Sequence, residues 1–178
     1  VFLTRSIVGR ALKPPPQAQT FDDATFEHGM TMREKVTKLT RSENCQGCHA
    51  VINPLGFSLE HFDAVGRYRT EDAGRPIDAA SDYADDEHAT VRLASARDVA
   101  EFAITSERAN RTFIEQLFQH LLKQSPRAYG PDTVTRLRDS FVASGYNLRQ
   151  LMADIATLAA LHGTESASIA ATISPRSP

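Results

Sequence analysis

Apolar positions fall into helical register in two parts of the chain and lose their period between them. Met32, Val36 and Leu39, spaced i, i+4 and i+7 with charged residues between, predict a helix over Thr31 to Leu39. Ser95-Ala96-Arg97-Asp98 reads as a capping box with Asp in place of Glu, ahead of a helix from Val99 to Ile104. Ser106 caps a second helix carrying Phe113, Ile114, Leu117, Phe118, Leu121 and Leu122, ended near Pro126. Pro131-Asp132 opens a third with Val134, Leu137, Phe141 and Val142, and Gly145 is its C-terminal stop. Asn147 caps a fourth, whose broad apolar face runs from Leu148 through Leu151, Met152, Ile155 and Leu158 to Leu161, with Gly163 as its end.

Elsewhere the pattern is irregular. Residues 1–12 predict a short helix stopped by Pro14-Pro15-Pro16, and 13–29 a partly polyproline segment. Pro54 and Gly56 predict a turn, followed by one or two helical turns at 58–64. From 68 to 92, Tyr68, Ile77, Tyr83 and Val91 stand among acidic and turn residues, predicting an extended loop with one short hairpin. The fold class expected is all-α, mostly helical. The domain reading is an N-terminal module over 1–94, a C-terminal helical module packing on it over 95–163, and a flexible tail over 164–178. A chain of 178 residues can bury roughly two-thirds of its unfolded surface. The net charge of −2 points to neither nucleic acid nor an anionic membrane, and no apolar run reaches the ~20 residues that span a bilayer.

The cysteines change the picture more. There are two, and both lie in Cys45-Gln46-Gly47-Cys48-His49. This spacing is the attachment sequence of a c-type haem: each thiol can add across one vinyl group, and the adjacent histidine reaches the iron. A zinc site usually takes two such cysteine pairs, and the chain has no second cysteine pair. A thioredoxin-like pair should follow a strand, whereas a helix and a polar link precede this one. A single haem c is therefore the expected cofactor, with Cys45 and Cys48 as attachment points and His49 as axial ligand. A backbone carbonyl near Asn53 or Pro54 is expected to accept from the other ring nitrogen of His49. Phe57 offers apolar bulk close to the haem. Arg67 and Arg69 can pair with propionates, bridge Glu60 or Asp63, or stay solvated. For the opposite face of the iron the candidates are His28, Met30, Met32, His61, His88, His120, Met152 and His162. His120 ranks first, beside the Phe113, Leu117, Leu121 stripe, and Met30 second, in the glycine-containing segment His28-Gly29-Met30.

The stretch TMREKVTKLTRSENCQGCHAVINPLGFSLEHFDAVGRYR, Thr31 to Arg69, resembles a cytochrome c-like module of large uncharacterised exported bacterial proteins. In that family a CxxCH is followed by a D/N-P-L-G-F segment, a leucine-glutamate pair, Phe-Asp and Gly-Arg. Gly74-Arg75-Pro76-Ile77-Asp78 continues the likeness, and Ala80-Ser81 stands where the family usually turns at glycine. Residues 113–162 resemble the helical module that closes those proteins. The resemblance implies the C-terminal part of a larger protein and brings no established activity. Val1 at the start fits the same expectation, with an export signal upstream. Since haem c is attached outside the bacterial cytoplasm, the expected location is periplasmic or otherwise extracytoplasmic. One-electron transfer is the expected function, with other redox proteins or subunits as partners. The alternatives are a haem enzyme or sensor with an open distal site, and a structural subunit of a membrane-associated assembly.

Overall fold

The computed structural model describes residues 2–12, 26–85 and 89–173, with side chains as far as His162. Pro14–Pro16, His88 and residues 174–178 of the expected tail lie outside the described residues. The chain is mostly helical, but two small antiparallel sheets make it other than all-α. It divides into two compact units between Ala109 and Asn110.

In the first unit a single π-type turn, Leu3–Ile7, precedes helix α1, Met32–Leu39. Thr31 caps α1: its hydroxyl accepts from the Glu34 N–H, and the Glu34 carboxylate accepts from the Thr31 N–H. This reciprocal capping box satisfies two donors that helix geometry leaves orphaned. Helix α2 runs Glu43–Phe57 and therefore passes through Pro54, where the sequence predicted a turn. Proline at this point removes only the bond that its own N–H would have made to the Ala50 carbonyl. Val51 and Leu55, one turn apart, and Phe57 are buried, and their burial holds the helical path. Tight turns follow from 58 to 61 in place of the expected one or two helical turns.

The expected single hairpin is two. Strand β1, Glu71–Asp72, pairs with β2, Arg75–Pro76, around Ala73-Gly74, both at positive φ as a two-residue primed turn demands. Strand β3, Ser81–Ala84, pairs with β4, Thr90–Leu93, with Ser81 opposite Leu93 and Tyr83 opposite Val91. Ser81 and Tyr83 point inward and Asp82 outward, the period-2 signature of a half-buried strand. Helix α3, Ala96–Thr105, is capped by the Ser95 hydroxyl, which accepts from Asp98 N–H. The core of this unit gathers Val8, Val51, Leu55, Tyr83, Leu93 and Val99. Helix α3, expected with the C-terminal module, thus belongs to the first unit through Val99 and through Phe102, whose ring meets Tyr83 edge-on.

The second unit takes in most of α4, Glu107–Leu122, then a short 3-10 turn at Pro126–Tyr129, α5, Thr133–Ala143, and α6, Leu148–Ile173. Gly145, at φ 67°, ends α5 as expected: its N–H donates to Val142 and that of Tyr146 to Phe141, the paired bonds of a Schellman ending. Helix α6 does not stop at Gly163. Interior glycine costs a helix only about 1 kcal/mol, and no proline stands between Gly163 and Pro175. Ile114, Phe118, Val134, Leu137, Phe141, Leu151 and Ile155 form the core. The apolar faces are narrower than their periodicity implied. Phe118 and Ile155 are fully buried, while Phe113, Leu148, Met152 and Leu161 keep more than a third of their surface in solvent.

Phe118→Ala should lower stability by about 3–5 kcal/mol, since the deleted ring leaves a void that its neighbours cannot close. Urea unfolding of the chain and the variant measures this, and a loss below about 1 kcal/mol would contradict the assigned core.

Candidate functional site

Cys45, Cys48 and His49 lie on α2 at i, i+3 and i+4, the spacing that puts side chains on one helical face. All three are half-buried, and neither cysteine is in a disulfide. The Ser42 hydroxyl donates to Cys45 Sγ at 3.1 Å.

The ring of His49 is held from behind by side chains. Its Nδ1 lies 2.9 Å from Asn53 Oδ1, one turn further along α2. Asn53 Nδ2 donates to the Thr40 hydroxyl oxygen at 2.9 Å, and that hydroxyl donates in turn to the Val36 carbonyl at 2.8 Å. The direction of this chain follows from its far end. The Thr40 proton is committed to Val36, so Thr40 Oγ1 accepts, and the amide nitrogen of Asn53 must face it. That leaves Asn53 Oδ1 as the acceptor for a protonated His49 Nδ1, with Nε2 carrying the lone pair. The partner of Nδ1 was expected to be a backbone carbonyl near Asn53 or Pro54. It is the Asn53 side chain instead, because α2 continues and brings positions 49 and 53 onto one face. Gln46 Nε2 also donates to the Thr40 carbonyl, tying the same residue to α2 a second time.

The donor set fits a c-type haem. It offers two thiols for thioether bonds and one imidazole in the tautomer that coordinates through Nε2. Among the described residues, no group of three or more His, Cys, Asp and Glu side chains is arranged to hold a metal ion. Haem makes no such demand, since its iron arrives with four ring nitrogens.

The remaining predicted residues are placed as follows. Pro54 is half-buried within α2. Phe57 is buried, with the Arg33 guanidinium 4.5 Å above its ring centroid. Arg67 is exposed and pairs with Asp63 at 2.8 Å, one of the two roles set against propionate binding. Arg69 bridges Glu60 and Asp72 at 3.5 and 3.0 Å. His61 stacks on Tyr68 and faces the Arg69 carbonyl through Nδ1. Met30 is half-buried and belongs to the unit that carries the motif; His120 is exposed on α4 in the second unit.

An open cleft of about 900 Å³ lies beside α1. Met30, His28, Glu60 and residues 72 and 75–78 are among its walls, and Cys45, Cys48 and His49 are not. Its charges are largely matched in pairs. Arg75 grips Glu34 with both terminal nitrogens, and Asp72 Oδ2 accepts from the Met32 N–H at 2.6 Å. Burial pushes the Glu60 carboxyl up, opposed by Arg69. Sequence reading missed the Thr31–Glu34 box, although Thr-x-x-Glu before an apolar period is its signature.

The family model PSCyt3, described as a protein of unknown function (DUF1588), matches residues 1–72. The matched span holds α1, the whole of α2 and the Thr40–Asn53–His49 chain, and it contains the stretch in which the sequence resemblance was drawn. Residues 113–162, likened above to a closing helical module, lie outside it. No curated protein and no solved structure matches the chain.

The Arg75 side chain and the Thr31 N–H bring the Glu34 carboxyl down from 4.5 to about 2. A carboxyl with a depressed folded pKa contributes stability that is complete above its unfolded value. That contribution is lost as pH falls from about 4.5 toward 2. Glu34→Gln should therefore lower stability at neutral pH, where the contribution is complete, and change it less in acid, which flattens the acid limb. Urea midpoints taken at neutral pH and at about pH 3 check this; equal acid sensitivity in chain and variant would contradict it.

Proposed function

We propose that the chain contains a mono-haem c-type cytochrome domain that carries single electrons. One haem c would be attached through Cys45 and Cys48, with His49 as an axial ligand. What supports this most directly is two thiols and an imidazole on one face of α2, with the imidazole's Nδ1 already engaged by Asn53. When bound, the haem supplies an iron that gains and loses one electron, with no group transferred. The chain's own residues do the rest. Cys45 and Cys48 would hold the haem through thioether bonds, each S–H adding across one vinyl double bond, sulfur to one carbon and hydrogen to the other. The Asn53 amide engages His49 Nδ1 and leaves Nε2 as the nitrogen that would bind the iron.

For the second axial position the preference passes from His120 to Met30. Met30 is half-buried in the same unit as the motif, whereas His120 is exposed on α4 in the other. Attachment of haem c requires export, so we place the protein outside the cytoplasm with redox proteins or subunits as its partners. Among the described residues no helix is long and apolar enough to cross a membrane.

Exported wild-type protein should give a pyridine haemochrome spectrum of the doubly thioether-linked type, and Cys45→Ala with Cys48→Ala should lose covalent haem altogether. Met30→Ala should abolish the near-infrared band of His/Met ligation, which His120→Ala should keep. Absence of covalent haem from correctly exported wild-type protein overturns the proposal. A high-spin ferric spectrum that shifts with cyanide would replace the carrier by a haem enzyme or sensor.

A further inference from the structure

We infer that Thr40 and Asn53 are positioning residues that fix the tautomer of His49 and set its strength as an electron donor. The second half of this inference rests on the haem reading above; the first half does not. The structural basis is a directed run of three hydrogen bonds, none longer than 2.9 Å, from His49 Nδ1 to the backbone of another helix. A backbone carbonyl accepting from the ring would be fixed by the main chain. Here the acceptor is an amide that can rotate, so its direction has to be imposed. Thr40 imposes it. This residue is 3 % exposed, and its hydroxyl proton is spent on the Val36 carbonyl, which also accepts from the Thr40 N–H at 3.0 Å. A flipped Asn53 could be satisfied only by turning the Thr40 hydroxyl away from the Val36 carbonyl, so the run of three hydrogen bonds would become two. The observed direction keeps all three, and the lost bond is the cost of the flip.

Partial withdrawal of the Nδ1 proton toward Asn53 Oδ1 makes Nε2 a stronger donor, which favours the ferric over the ferrous state. Because Thr40 is the C-terminal cap of α1, the arrangement also couples the seating of α1 on α2 to the electronic character of the ligand.

Two readouts on the full chain test this. In haem-free protein, at a pH where imidazole is neutral, nitrogen-15 NMR should find His49 protonated at Nδ1. Asn53→Leu should return it to the Nε2-protonated form that free imidazole side chains prefer, and Thr40→Val should give a mixture. In haem-loaded protein the reduction potential should rise for Asn53→Leu, rise less for Thr40→Val, and fall for Asn53→Asp, whose carboxylate is the stronger acceptor. A residue that merely supported the fold would not shift the potential in opposite directions for Leu and Asp. An unchanged tautomer in Asn53→Leu overturns the inference, as do potentials that move the same way in Asn53→Leu and Asn53→Asp. Wild-type protein that takes up no haem sinks the cytochrome reading, and the tautomer readout then decides the role of Thr40 and Asn53 alone.

Discussion

Everything proposed for the site depends on α2 continuing through Pro54. An interior proline costs a helix about 3 kcal/mol or more, and Asn53 before it is disfavoured in the helical region as well. Against this stands the burial of Val51, Leu55 and Phe57, each side chain stabilising by about 1.5–3 kcal/mol. The burial term wins, and the position of the proline helps. It lies in the last helical turn, so the single bond it forgoes is to Ala50, on the exposed face of the helix. One rigid element therefore carries the thiols and imidazole in its first half and core residues in its second. Val51 and Leu55 pack in one cluster with Tyr83, Leu93 and Val99, which ties the orientation of the Cys-His face to the β3–β4 hairpin and to α3.

The Cys-x-x-Cys-His pattern was legible because its information is one-dimensional: two cysteines and a histidine at fixed spacing are read before any folding is considered. Asn53 was not legible as a side-chain partner for a related reason. Its role exists only if the chain between His49 and Asn53 is helical, and Pro54 with Gly56 argued locally for a turn. Local propensity lost to tertiary burial there, as it did at Gly163, where the helix persists past a residue read as its end. The hairpins show the complementary case. Ser81, Tyr83 and Leu93 alternate as a buried strand pair should, but acidic residues between them masked the period. At Ala73-Gly74 an alanine occupies a left-handed position, φ 52°, that asparagine or aspartate usually announces.

In the second unit the helices were legible and their buried faces less so. Periodicity identifies which residues share a side of a helix, not how wide a strip its neighbours cover. On α6, Leu151 and Ile155 are fully buried, one turn apart, while Leu148 and Met152, equally apolar and on adjacent positions, stay exposed. Among helices of this kind a single i, i+4 pair can anchor each element, and the flanking apolar residues add little to the core they were expected to build. This is also why His120, placed beside an apolar stripe in sequence, stands in solvent.

The anchoring of α1 carries the last constraint. Exposed ion pairs contribute little individually, so the Arg75–Glu34 pair would not fix a helix by itself. It acts together with three other ties. Asp72 takes the Met32 N–H at the positive end of the helix dipole, and the Arg33 guanidinium lies over Phe57. The same guanidinium donates to the carbonyls of Asp78 and Ala80 and to the Ser81 hydroxyl. The β1–β2 hairpin thus holds the start of α1, and the segment entering β3 holds its first turn. Thr40 closes its far end onto Asn53 and Gln46. A helix held at both ends cannot easily rotate Thr40 away from Asn53, so the direction of the amide, and with it the tautomer of His49, is imposed by contacts that reach from the hairpin to the motif.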